Sequence, residues 1–154
     1  MKLKTFALTL ALGFAGAAVS LAQSPQMGTW KLNEAKSKIS AASQKNTTVI
    51  YAMDGDNIKV TTDGVDATGK PLQTSWTGKF DGKEYPLTGD PGADARMYTK
   101  IDDHTLAITN KKGAKAVLTG RIVVSADGKS RTLKSTATDS AGKKISSTAA
   151  YDKQ

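Results

Sequence analysis

The chain has no cysteine among its 154 residues, which excludes disulfides and cysteine-ligated metals. Histidine occurs once, as His104, and the only glutamates are Glu34 and Glu84. Any catalytic serine–histidine pair would therefore have to include His104, and no Gly-x-Ser-x-Gly motif is present. A hydrolase with paired carboxylates would have to take aspartates from turns. Because no catalytic signature is present, we expect neither an enzyme nor a bound cofactor.

Long apolar runs are absent except at the start of the chain. Lys2 and Lys4 precede an almost wholly apolar stretch, residues 6–19, and Ser-Leu-Ala follows at residues 20–22. This order predicts a signal peptide over residues 1–22 and a single domain over residues 23–154, exported to the periplasm or the extracellular space. The stretch falls short of the roughly 20 strongly apolar residues of a membrane anchor. We expect no stable anchor after cleavage; an uncleaved anchor is the alternative.

A concentrated patch of positive charge is also lacking. The formal net charge of +8 falls to +6 when Lys2 and Lys4 leave with the signal peptide. The remaining lysines are spread along the chain, and the longest basic runs are Lys111-Lys112 and Lys143-Lys144. Nucleic-acid binding requires clustered basic residues with interleaved aromatics. We therefore expect no nucleic-acid partner, and a soluble monomer.

Alternating apolar and polar residues with a period of two run through most of the chain after residue 46, as in half-buried strands. The longest stripe consists of Leu72, Thr74, Trp76, Gly78 and Phe80. Turn signals such as Asp81-Gly82 and Asp127-Gly128 recur about every ten residues. Short turns favour sequential antiparallel neighbours. The sequence predicts an all-β, up-and-down barrel of about 8–10 strands, with a β-sandwich as the alternative.

The first strand of this pattern contains Gly28-x-Trp30. In an exported chain of sequential strands, this pair resembles the opening motif of the lipocalins and the wider calycin group. The resemblance implies that Trp30 closes one end of the barrel and that a basic residue from a late strand packs over it. Arg131 is the first candidate and Arg121 the second; the alternative is a core tryptophan at a strand end. The chain also resembles uncharacterised exported bacterial proteins that begin Gly-Thr-Trp-Lys-Leu-Asn, which implies no activity.

Large and small residues are mixed on the stripes that would face inward. Candidate ligand contacts in the barrel interior are Trp30, Trp76, Phe80 and Tyr151. Small inward residues on the closing strands are Gly120, Ser135, Ala137, Ser147 and Ala149. These small residues either leave a ligand cavity or let the strands approach and fill the space.

Two functions remain open from this pattern. The lipocalin resemblance and the small inward residues favour an exported binding module for a small, partly apolar ligand. The Thr- and Lys-rich outer face favours a structural or protein-interaction module of the bacterial envelope without an internal ligand.

Asp102-Asp103-His104 is the one cluster that suggests a metal or an acid–base site. It falls between two predicted strands, where aspartate is favoured because its side chain bonds to nearby backbone. A metal would need further ligands that converge in space. We therefore interpret the cluster as a tight turn and expect no metal site.

Overall fold

The structure is a computed structural model that describes residues 24–154. The predicted signal peptide, residues 1–22, lies outside the described residues. Ten strands make up the fold. They are β1 (Gly28–Leu32), β2 (Lys45–Asp54), β3 (Asn57–Val65), β4 (Pro71–Gly78), β5 (Tyr85–Thr88), β6 (Ala95–Lys100), β7 (Thr105–Lys112), β8 (Lys115–Val124), β9 (Ser130–Thr138) and β10 (Lys144–Lys153). A 3₁₀ turn, Glu34–Lys36, follows β1, and Asn33 caps it through its side chain.

Each strand pairs antiparallel with the next one along the chain, and β10 pairs with β1 to close the barrel. Trp30 lies opposite Lys153 across this closing pair and opposite Val49 on β2. The predicted all-β, up-and-down barrel is confirmed, and the sandwich alternative is excluded because the sheet has no open edge. β5 pairs through only two residues on each side, which suits Pro86 because proline has no N–H to donate to a ladder.

The up-and-down order gives the barrel two distinct ends. The Gly28 end holds the start of β1 and the turns β2–β3, β4–β5, β6–β7 and β8–β9. The Asp139 end holds the long β1–β2 connection and the turns β3–β4, β5–β6, β7–β8 and β9–β10.

Inward positions alternate along every strand and form one core. On β4 the predicted stripe is buried at Leu72, Thr74, Trp76 and Gly78. Thr74 points inward with Thr62 of β3, and their hydroxyl oxygens are 2.7 Å apart, so each satisfies the other. No helix between residues 24 and 154 is long and apolar enough to cross a membrane.

Candidate ligand-binding site

The Gly28 end is closed by Trp30 and by the segment before β1. The buried Trp30 indole donates a hydrogen bond to the Gln26 carbonyl oxygen at 2.9 Å. Gln26 Nε2 donates to the backbone carbonyl oxygen of His104 at 3.1 Å. Gly28 has a φ of 111°, and an added Cβ would lie 2.9 Å from Lys153 Cε. The positive φ therefore favours glycine at this position, whereas the close contact is with the flexible end of a lysine side chain.

Arg131 lies among three aromatic rings at this end of the interior. Its Cζ is 4.9 Å from the ring centroids of Trp30, Tyr51 and Tyr151. Arg131 therefore lies over Trp30, as does Lys153 of β10, whose Nζ is 5.0 Å from the Trp30 ring centroid. Arg121 is exposed on the outer face. A desolvated cation–π contact is worth about 2 kcal/mol, but burying an unpaired guanidinium costs several kcal/mol.

The aromatic rings leave part of the Arg131 guanidinium unsatisfied. The residue is 4% exposed, and its Nε and Nη1 are buried with no hydrogen-bond acceptor in residues 24–154. Aromatic faces attract the charge but do not accept these hydrogen bonds as a carboxylate would.

A second buried arginine, Arg96, lies on β6 opposite Asn110 on β7. Its Nε donates to Asn110 Oδ1 at 2.8 Å, and its Nη1 donates to the Tyr98 hydroxyl at 3.3 Å. The Tyr51 hydroxyl donates to the Tyr98 hydroxyl at 3.4 Å. Because Arg131 packs on the Tyr51 ring, the two tyrosines connect the two arginines.

Neither arginine has a carboxylate partner. The buried polar side chains of the described part of the chain are Gln26, Thr62, Thr74, Arg96, Asn110 and Arg131. This set contains two cations and no acid. The four ion pairs found in that part of the chain each join a lysine to a surface acid.

Tyr98 and Tyr151 remain protonated at physiological pH. Burial raises the pKa of Tyr151 to about 12, although the Arg131 charge acts in the opposite direction. Burial likewise raises the pKa of Tyr98. Since these hydroxyls are neutral, they do not balance the two positive charges.

Trp76 and Phe80 belong to a packed aromatic cluster. Their rings stack with centroids 6.5 Å apart, and the Trp76 ring meets the Tyr98 ring edge-on at 4.9 Å. The Trp76 indole donates to the Arg96 carbonyl oxygen at 3.0 Å. An added Cβ at Gly78 would lie 2.7 Å from Trp76 Cζ2, so glycine leaves the space for this ring.

A cavity of about 240 Å³ lies at the Asp139 end. Its apolar lining comes from Ile39, Val117, Leu118, Leu133, Ile145 and Ala149. Its polar lining includes Asn46, Asn110, Ser135, Ser147 and Tyr151. The Tyr151 hydroxyl donates to the Asn46 carbonyl oxygen at 3.1 Å. Asn46 Oδ1 is buried and has no hydrogen-bond donor in residues 24–154.

The small inward residues account for this space. Ser135, Ala137, Ser147 and Ala149 all line the cavity. Gly120 instead lets strands approach, because an added Cβ would lie 2.6 Å from the Lys134 carbonyl oxygen. Four of the five small residues therefore leave room inside the barrel.

Of the residues proposed from sequence as ligand contacts, only Tyr151 lines the cavity. Trp30 closes the Gly28 end, and Trp76 and Phe80 lie in the aromatic cluster. Sequence reasoning missed Arg96 and Asn110. The alternation of the strands could have revealed them. Arg96 lies two positions from the core residue Tyr98, and Asn110 lies two positions from the core residue Ile108, so each shares the inward face of its strand.

A larger depression, about 880 Å³, lies on the outer face of β8, β9 and β10. Its floor carries side chains such as Thr119, Arg121 and Lys134. It is more open to solvent than the cavity at the Asp139 end, and none of the buried, unsatisfied polar atoms of residues 24–154 belongs to its lining. The interior cavity is therefore the better candidate for a specific site.

Asp102-Asp103-His104 forms the tight turn between β6 and β7. Asp102 Oδ1 accepts a hydrogen bond from the His104 backbone N–H at 2.9 Å, and this bond lowers the Asp102 pKa. Asp103 pairs with Lys100 at 2.7 Å. No group of three or more His, Cys, Asp or Glu side chains in residues 24–154 is arranged to hold a metal.

No protein-family model matches the chain, and no curated protein matches it. Among solved structures, the chain is similar to the structure of EF1p2_mFAP2b bound to DFHBI. The identity is 13%, the alignment covers 90% of this chain and 100% of the other, and the TM-score is 0.52. At this identity the similarity shows a shared fold.

Proposed function

We propose that this chain is an exported, lipocalin-like binding protein that holds a small, partly apolar ligand in the cavity at the Asp139 end. The cavity itself carries the proposal, since it combines apolar walls with a few amides and hydroxyls. This combination is usual for small-molecule sites. Its volume of about 240 Å³ lies just below their common range and points to a small ligand.

Two further observations support this function. Arg131 over Trp30 is the arrangement that the lipocalin resemblance implies. The structure of EF1p2_mFAP2b, which shares the fold, was solved with DFHBI bound. That similarity supports the capacity of such a barrel to hold a ligand. The location of the site and the kind of ligand are inferred from the residues that line this cavity.

Export is part of the same proposal and rests on residues 1–22. Cleavage after Ala22 would make Gln26 the fourth residue of the mature chain. Gln26 is 1% exposed and bonds to both Trp30 and His104. The mature chain would therefore retain the segment that closes the Gly28 end.

Calorimetric titration of residues 23–154 with phenylacetate and with phenylacetamide tests the binding function. We expect saturable binding of at least one probe. Ala137→Leu places extra carbon atoms in the cavity and should weaken that binding. Thr136→Leu, the neighbouring change on the opposite face of β9, is the matched control and should not. Absence of saturable binding by both probes would contradict the proposed function.

A further inference from the structure

Two positive charges are buried in this barrel without a compensating acid. Arg96 is 3% exposed and Arg131 is 4% exposed. Buried charges in proteins are normally paired, because a charge removed from water is unfavourable unless an opposite charge or hydrogen bonds replace the solvent. Tyr98 and Tyr151 are neutral, and Arg131 keeps two N–H groups without acceptors in residues 24–154. The interior is therefore complementary to a negative charge.

Each arginine contacts a side chain that lines the cavity. Asn110 lines the cavity and accepts the hydrogen bond from Arg96 at 2.8 Å. Tyr151 lines the same cavity, and its ring packs on Arg131 at 4.9 Å. The positive potential of both groups extends into the cavity through protein of low dielectric, where salt screens it weakly.

The opposite charge lies only at the mouth. Asp90 and Asp139 line the rim, and each is engaged in its own turn. Asp90 Oδ1 accepts from the Gly92 N–H at 2.8 Å. Asp139 Oδ1 accepts from the N–H groups of Ala141 and Lys143 at 2.9 Å and 2.8 Å. The negative charges lie at the rim, and the positive charges of the two arginines lie next to Asn110 and Tyr151. This arrangement would orient an acidic ligand with its carboxylate toward the arginines.

We propose that the ligand of this cavity is a small organic acid. Its carboxylate lies beside Asn110, whose amide nitrogen can donate to it because Asn110 Oδ1 accepts from Arg96, and Arg96 and Arg131 act as its counter-ions. Its apolar part lies against Leu118. This inference rests on the proposed binding function and names the ligand class.

Comparison of phenylacetate with phenylacetamide on the unmodified mature chain tests the inference directly. The two probes have nearly the same shape and differ in charge. At low ionic strength we expect phenylacetate to bind about tenfold more tightly or better, as for a charge placed near buried opposite charges. Equal affinities would overturn the organic-acid inference and leave the binding function standing. Binding by neither probe would overturn both.

The variants Arg96→Gln and Arg131→Gln test whether the two buried charges cause the preference for phenylacetate over phenylacetamide. Arg121→Gln on the exposed outer face removes the same charge from the protein and is the matched control. We expect each interior change to reduce the preference for phenylacetate, with phenylacetamide affinity less affected, and the control to keep it. A preference that survives both interior changes would contradict the assignment. Thermal unfolding identifies any variant that does not fold, and the comparison on the unmodified chain decides the inference in that case.

Discussion

The contact between Arg131 and Trp30 joins a late strand to the first strand and is open to a double-mutant cycle. The changes are Arg131→Met, which keeps an unbranched side chain but removes the charge, and Trp30→Leu, which removes the ring. The two residues are about a hundred positions apart in sequence, so an energetic coupling between them requires the closed barrel that β1 and β10 complete.

The separation of 4.9 Å between the guanidinium and the Trp30 ring sets the expected size of the coupling. A desolvated cation–π pair contributes about 2 kcal/mol, and contacting residues commonly couple by about 0.5–2 kcal/mol. The single change Arg131→Met is less informative, because it also removes the unfavourable burial of a charge. Trp30→Leu leaves the Tyr51 and Tyr151 rings beside Arg131 unchanged in sequence. It also removes the contact of Lys153 with the Trp30 ring, but this loss occurs in both Trp30 variants of the cycle and cancels from the coupling.

Urea unfolding of the four proteins gives the four free energies of unfolding. The account predicts a coupling of about 0.5–2 kcal/mol between Arg131 and Trp30. The matched cycle with Arg121→Met in place of Arg131→Met should be additive to within about 0.5 kcal/mol, because Arg121 is on the outer face. Additivity in the Arg131 cycle as well would refute the interpretation of this contact as a stabilising one.

Four other outcomes follow from the structure. Trp76→Ala should lower the free energy of unfolding by about 3–5 kcal/mol, whereas exposed Lys79→Ala should change it by about 0.5 kcal/mol or less; similar unfolding midpoints would show that Trp76 is not core. Gly28→Ala should lower the thermal midpoint, because φ is 111° and Lys153 lies in the way; an unchanged midpoint would contradict this. Burial raises the pKa of Tyr151 to about 12. Its contribution to the free energy of unfolding is therefore full below the unfolded pKa near 10 and is lost as the pH rises toward 12. Tyr151→Phe should make the fall of the free energy of unfolding at alkaline pH shallower, and an identical pH profile would count against this prediction. Leu10→Arg should abolish export of the mature chain in a fractionation assay, and unchanged export would remove the signal-peptide assignment.

The fold followed from the sequence because local signals agreed along most of the chain. Asp127-Gly128 is one example: it supplies both a tight turn and the positive φ of 72° at Gly128. Alternation then placed Leu72, Thr74 and Trp76 on one face, which the barrel buries. Short turns left little choice of neighbour, so strand order followed from chain order.

The site was less predictable, because its chemistry depends on pairs distant in sequence. The lipocalin resemblance implied Arg131 as the partner of Trp30, and the register Arg131↔Tyr151 explains why it points inward. The sequence did not indicate that Arg96 is buried, because a single arginine in a strand is most simply placed on the outer face. Only the register Arg96↔Asn110, beside the core pair Tyr98↔Ile108, places it inside.

The cavity likewise did not follow from composition. Small residues such as Ala137 and Gly120 permit either a void or a closer approach of strands, and the chain shows both outcomes. Which one occurs depends on the curvature of the closed sheet and on the β1–β2 connection. Ile39 and Ser43 from that connection line the cavity.

Amide NMR of the mature chain during titration with phenylacetate tests the central claim most directly. The account predicts saturable shifts at cavity residues Asn110, Leu118 and Ala149. The amides of Arg121 and Val123, which line the outer depression and are not next to cavity residues in sequence, should show no saturable change. Saturable shifts confined to the outer face, or none at the cavity residues up to the solubility limit of the probe, would contradict the claim that the barrel interior binds a small acidic ligand.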